Sequence, residues 1–238
     1  VVKTRVRLAA SLSLLAAAAF AADARRDIVG SAKKLYSQHD EELVIRDFFQ
    51  DQRDGFFLDV GCGHPIDASN SYFLEKHLRW TGIGVDALPE MADKWRRKRP
   101  KSRFFNFIVT DHAGTLDPFY RTEAWGISSV NKPATGPGGR PVSSKEIMVP
   151  TTTLTQLLER NGVERIDLLS MDIEGHEPKA LAGFDILRFK PRLACVESKP
   201  ANRPFLQEYF KKHGYEQLER YLKYDTVNYY YAPVGAGR

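Results

Sequence analysis

Short apolar runs that end in glycine or an acid alternate with amphipathic stretches through most of this chain, and the alternation predicts its elements. Phe56-Phe57-Leu58-Asp59-Val60 runs into Gly61-Cys62-Gly63, a buried strand entering a glycine turn. Gly82-Ile83-Gly84-Val85-Asp86 is a second such strand, ending in an acid. Residues 103–110, 166–173 and 192–198 read as three more. Between them lie helical patterns: 31–52, with Leu35, Leu43, Ile45, Phe48 and Phe49 as apolar positions; 70–79, with Ser69 or Asn70 as N-cap; a basic helix near 89–98 closed by Pro100; 153–161, with Leu154, Leu157 and Leu158 on one face; then 178–187 and 203–213. Residues 111–146, rich in Gly, Pro, Ser and Thr, read as a long irregular loop. Residues 215–221 and 226–232, dense in tyrosine, read as two adjacent strands.

Strands alternating with helices predict an α/β domain, a mostly parallel sheet covered by helices on both faces. Ligands of such sheets bind beyond the carboxyl ends of the strands, where the glycines and acids of this chain fall.

Composition adds little. Apolar residues are 42% and charged residues 27% of the 238, ordinary for a globular chain. The net charge of +5 is partly spent at the start, where Lys3, Arg5 and Arg7 outnumber Asp23, and the remainder is too weak to argue for nucleic acid. Cys62 and Cys195 form no metal or disulfide pattern and read as buried thiols. The basic start precedes an apolar run over residues 8–22 and an A-x-A sequence, Ala22-Asp23-Ala24, the layout of a secretory signal or membrane anchor. Residues 1–24 are therefore set apart as a signal-like segment able to touch a membrane, and 25–54 as an N-terminal helical extension.

Two groups of residues carry chemistry. The first is Asp59, Gly61 and Gly63 with Asp86, 23 residues after Gly63 and near the roughly 20 expected of a ribose-binding acid. The glycines let a backbone approach a nucleoside-like ligand. The third glycine of a dinucleotide turn is replaced by Ile66, which disfavours a nicotinamide enzyme. The second is Asp172, Glu174, His176 and Glu177 at the end of the fourth strand. They suit acceptor positioning or a general base; caps of the next helix are the bland alternative for Glu174 and Glu177. A divalent cation is the weaker reading, since no carboxylate pair with clear ligand spacing completes it. The run Lys94–Lys101 reads as a solvated helix face, and His64, His112 and His213 as lesser candidates beside His176.

The run Ile166-Asp167-Leu168-Leu169-Ser170-Met171-Asp172-Ile173-Glu174-Gly175-His176-Glu177, with Leu181-Ala182-Gly183-Phe184, resembles the hallmark of FkbM-type methyltransferases. Phe57-Leu58-Asp59-Val60-Gly61, Trp80–Ala87, Val149–Leu154 and Glu197 fit the same family. The resemblance spans roughly residues 55–200. It implies a Rossmann-like class I fold over 55–238, with seven strands and an antiparallel last pair. It also implies S-adenosylmethionine (SAM) as methyl donor and, most often, an oxygen acceptor on a small molecule or glycan. Asp59, Gly61, Gly63 and Asp86 would then hold the donor, and Asp111 would reach the adenine edge. Asp172, His176 and Glu197 are the catalytic candidates, with no metal assigned. Trp125-Gly126-Ile127-Ser128-Ser129 would be an acceptor lid. A donor made in the cytoplasm favours that compartment, in tension with the signal-like start. A non-catalytic nucleotide-binding module and a metal-dependent hydrolase using residues 172–177 are the alternatives. Oligomeric state stays open.

Overall fold

The computed structural model describes residues 25–123, 126–132, 135 and 139–236. The signal-like segment lies outside the described residues. Among them, no helix is long and apolar enough to cross a membrane.

Seven strands form one sheet in the order β3-β2-β1-β7-β8-β10-β9. They are β1 (Phe56–Val60), β2 (Thr81–Asp86), β3 (Ser102–Asn106), β7 (Leu168–Met171), β8 (Leu193–Glu197), β9 (Tyr215–Gln217) and β10 (Asn228–Pro233). The first five run parallel, and β10 is antiparallel to both β8 and β9. The central strands are buried on both faces, so they read as continuous apolar runs. Alternate side chains serve two cores. Leu58, Val60, Leu169 and Ala194 face one, filled by α5 (Leu154–Arg160), α6 (Glu177–Ala182), α7 (Ile186–Phe189) and α8 (Arg203–Lys212). Phe57, Leu168 and Leu193 face the other, under α2 (Glu41–Phe49) and α3 (Tyr72–Leu78).

Four elements differ from the sequence expectation. The predicted 31–52 helix is two: α1 (Ile28–Ser31) and α2. The chain between them is a loop because the Glu42 carboxylate captures the Leu35 and Tyr36 amides, at 3.3 and 2.9 Å, and Ser37 Oγ accepts from Glu42 N at 3.1 Å. This N-terminal region is part of the domain: Val44, Ile45 and Phe49 are buried against Phe57 and Trp80, each burial worth about 1.5–3 kcal/mol. The predicted 178–187 helix is likewise two, α6 and α7, parted at Gly183, where a Cβ would press on the Thr110 carbonyl oxygen.

The third strand stops at Asn106. Ile108–Val109 (β4) leaves it to pair with β6 (Ser144–Thr152), which also pairs with β5 (Leu116–Thr122). Residues 116–122 and 144–146 of the expected 111–146 loop therefore belong to an antiparallel strand pair. Its inner face, with Phe119, Val149 and Ile147, packs on Ala87, Leu88 and Ile108. Its outer face leaves Leu116 and Met148 exposed, so the alternation is faint in the sequence.

Candidate active site

Gly61, Asp86, Asp172 and Glu197 follow or end β1, β2, β7 and β8, and all four line one cavity of about 1050 Å³. It opens at the carboxyl edge of the sheet where strand order reverses between β1 and β7.

At one end, Asp86 holds the glycine turn. Its Oδ2 accepts from Gly63 N at 2.8 Å and its Oδ1 from Leu88 N at 2.8 Å. A carboxylate has about four lone-pair positions, so acceptor capacity remains toward the cavity. Burial pushes this carboxyl up to about 6, against the pull of the Leu88 and Gly63 amides. Gly63 (φ +48°) has open space where a Cβ would stand. Gly61 (φ +75°) does not: a Cβ there would overlap the Asp172 carbonyl oxygen. The sequence gives both glycines one reason, approach to a ligand. The structure gives Gly61 another, the close crossing of the β1 turn and the β7 end.

Asp59 is buried and does not line the cavity; it accepts from Ser71 Oγ at 2.5 Å. Burial raises its pKa, partly offset by Ser71 and then Arg99. Arg99 is the residue the sequence missed. It belongs to the basic run of α4 (Met91–Lys98) and its C-cap, yet it is fully buried. Its guanidinium donates to Glu75 (2.7 Å), the Pro65 carbonyl (3.1 Å), Ser69 (3.3 Å) and Ser71 (3.0 Å), and lies over the Trp95 ring. It thereby pins the loop that follows the glycine turn. The remaining basic side chains of the run are exposed or partly so, as a solvated face requires.

At the other end, carboxylate oxygens of Asp172, Glu177 and Glu197 lie within 4.8 Å of one another. Glu177 is fully engaged: Oε1 accepts from Ile173 N (3.0 Å) and Gly175 N (3.2 Å), Oε2 from Asn202 Nδ2 (2.6 Å). It shapes the loop before α6 instead of facing the cavity. Lys199 Nζ pairs with Glu174 and stands 3.3 Å from Glu197 Oε2. Asp172 Oδ1 is buried with no hydrogen-bond partner, and so is His176 Nε2. Burial and the nearby Glu197, Glu174 and Glu177 charges push the Asp172 carboxyl well above the usual carboxylate range. Burial pushes Glu197 up to about 7, with Lys199 opposing. Burial also lowers the pKa of His176, which favours the neutral imidazole.

Asp111 stands apart from this cavity. It accepts from Lys179 Nζ (2.9 Å) and bonds His112, which reaches Asp117, and these bonds hold its carboxyl below the usual range. Of the expected lid, Trp125 lies outside the described residues, while Gly126, Ile127 and Ser128 line the cavity.

The sequence profile described as the methyltransferase FkbM domain matches residues 59–223. No curated protein sequence matches the chain. Solved structures similar to it include a TehB-like SAM-dependent methyltransferase from Corynebacterium glutamicum, at 15% identity over 87% of this chain and 85% of that one, with a TM-score of 0.41. Precorrin-6y C5,15-methyltransferase from Geobacter metallireducens aligns at 15% identity over 78% and 76%, with a TM-score of 0.43. A Burkholderia thailandensis 1,6-didemethyltoxoflavin-N1-methyltransferase, solved with bound 1,6-didemethyltoxoflavin and S-adenosylhomocysteine, aligns at 14% identity over 97% and 91%, with a TM-score of 0.38.

Proposed function

The chain belongs to the methyltransferase FkbM domain family, and from that premise we propose that it transfers the methyl group of SAM to a hydroxyl of a small molecule or glycan. One observation carries the reading. A single cavity joins a carboxylate with spare acceptor capacity beside an open glycine, Asp86 and Gly63, to a buried, unpartnered carboxylate oxygen, Asp172 Oδ1.

Asp86 would accept from the ribose hydroxyls of the donor, with Gly63 giving it room. Asp59 and Gly61 act one step back: Asp59 through Ser71 and the Arg99-pinned loop, Gly61 by letting the β1 turn cross β7. Asp111, tied to Lys179, is left out of the donor site in this proposal. SAM supplies an electrophilic methyl on a sulfonium, so most of the catalysis is alignment of the acceptor oxygen.

An alcohol is a poor nucleophile while protonated, and in this proposal Asp172 Oδ1 takes its proton. The raised pKa of Asp172 strengthens it as a base, and Glu197, near 7, can share the proton taken up. Neutral His176 offers Nε2 as a further hydrogen-bonding atom on the same wall. With Glu177 committed to protein donors and Lys199 beside Glu197, the cluster is better suited to acid–base work than to holding a cation. A cytoplasmic enzyme, with residues 8–22 as an anchor at most, fits the donor's supply.

Calorimetry with S-adenosylhomocysteine, followed by transfer of labelled methyl from SAM into small-molecule extracts, tests the proposal. Binding with transfer into an alkali-stable methyl ether is expected. Binding without transfer into any extract would make the protein a recognition module. No binding at all would refute the donor site.

A further inference from the structure

We infer that the methyl acceptor is a neutral or cationic polyhydroxylated compound, and that His39 of the N-terminal segment is one of the residues that binds it; the inference rests on the methyltransferase reading above. Gln38 and His39 precede β1 by some seventeen residues of chain, yet they line the same cavity as Asp172, Glu197 and Val227. A buried polar network holds His39 there. His39 N donates to Glu41 Oε2 at 2.7 Å, and Asn228 Nδ2 donates to Glu41 Oε1 at 3.1 Å. Asn228 stands opposite Glu197 in the β10–β8 register. Two hydrogen bonds thus connect the His39 backbone to the strand pair that presents Glu197.

The network is closed on its far side. Asp225 Oδ2 accepts from Asn228 Nδ2 at 3.0 Å and from the Tyr230 hydroxyl at 2.6 Å, and Asp225 Oδ1 accepts from the Val227 and Asn228 amides. Ser37 Oγ donates to the His39 carbonyl at 2.8 Å. Glu41, Asp225 and Asn228 are all buried. Groups so desolvated keep one arrangement, because breaking any bond strands a buried partner. The His39 backbone is therefore fixed, while its half-buried imidazole has no hydrogen-bond partner among the described residues. A fixed backbone carries, on a cavity wall, a ring whose nitrogens are left to solvent and so to a ligand that displaces that solvent.

Charge then sorts the ligand. This end carries Asp172, Glu174 and Glu197 against Lys199 alone. The cations Arg121 and Lys145 stand on the β5–β6 hairpin, where Arg121 pairs at 3.0 Å with Glu90, just past the end of β2, and Lys145 faces Arg121 across the strands. With Asp172 ionised, as a base must be, and Glu197 ionised above about pH 7, a phosphate or carboxylate on the acceptor would meet like charge in a poorly solvated space. Hydroxyls find acceptors in Asp172 and Glu197, and both donor and acceptor atoms in Gln38 and His39.

The test uses the full chain, labelled SAM, and the small-molecule fraction of a cell extract divided on an anion exchanger near pH 8. Methyl-accepting activity is expected in the unretained material. His39→Ala should raise the extract concentration for half-maximal rate about three- to tenfold, the loss of one hydrogen bond. The saturated rate and the affinity for S-adenosylhomocysteine should stay within about twofold, and His39→Gln should recover much of the loss. Activity found solely in the anion-retained fraction would overturn the acceptor class. Unchanged half-saturation in His39→Ala, or a parallel loss of S-adenosylhomocysteine affinity, would overturn the contact. Wild-type protein that binds S-adenosylhomocysteine but labels nothing would sink the methyltransferase reading itself, and this inference with it.

Discussion

Gly61→Ala and Gly63→Ala differ by two positions and should differ in kind. Both glycines have positive φ, +75° and +48°, where a side chain costs about 1–2 kcal/mol. At Gly61 the new methyl must also displace the Asp172 carbonyl. The turn is joined to the β7 end there by the bond from Asp172 N to the Val60 carbonyl at 3.0 Å, and to β2 by the bond from Gly61 N to the Val85 carbonyl at 2.9 Å. Separating them far enough breaks at least one buried bond, at about 1–3 kcal/mol each. Together with the φ cost this comes to about 2–5 kcal/mol, a large part of the 5–15 kcal/mol that holds a domain folded. For a chain of this size each kcal/mol lowers Tm by about 2–4 °C, so a fall of about 4–20 °C is expected. Gly63→Ala meets no clash and should lose about 2–8 °C, the φ cost alone, while weakening S-adenosylhomocysteine binding because its Cβ stands at the cavity wall. Thermal unfolding and calorimetry on both variants decide the matter. A Gly61→Ala protein that melts with the wild type refutes the steric argument.

The other expectations are shorter. Asp86→Ala should weaken S-adenosylhomocysteine binding about ten- to a hundredfold in a folded protein. In the wild type that affinity should fall as pH drops through about 6, approaching tenfold per unit, because the protonated carboxyl loses acceptor sites; a flat profile from pH 5 to 8 would contradict the ribose assignment. Asp172→Asn should cut methyl transfer about 10²–10⁴-fold with donor affinity little changed, and donor binding lost along with turnover would place Asp172 against the donor instead. Arg99→Met should cost about 3–5 kcal/mol by stranding Glu75 in the core, which urea unfolding would read; an unaltered midpoint would show that the four bonds of Arg99 are dispensable.

Much of the fold is local and was legible in the residues. A strand buried on both faces must be apolar throughout, so β1, β2, β7 and β8 announce themselves, and the carboxyl-end acids Asp86 and Asp172 follow from where those runs stop. The hairpin β5–β6 was not legible, because its outer face is wet and its prolines and serines mimic a loop. The loop before α2 was not either, since side chains of that helix itself, Glu42 above all, capture its backbone.

The residue pattern alone determined the order of elements, the place of the cleft and the types of group at its rim. Only the tertiary structure decided that Gly61 answers to a strand as well as lining the cavity, that Arg99 leaves its solvated neighbours for the core, that Glu177 serves a loop while Asp172 faces the cavity, and that residues before β1 wall that cavity. The physical reason is one of range. Hydrophobic periodicity reports how a segment meets the nearest core, whereas desolvation, steric exclusion and hydrogen-bond satisfaction depend on which distant segment arrives beside it.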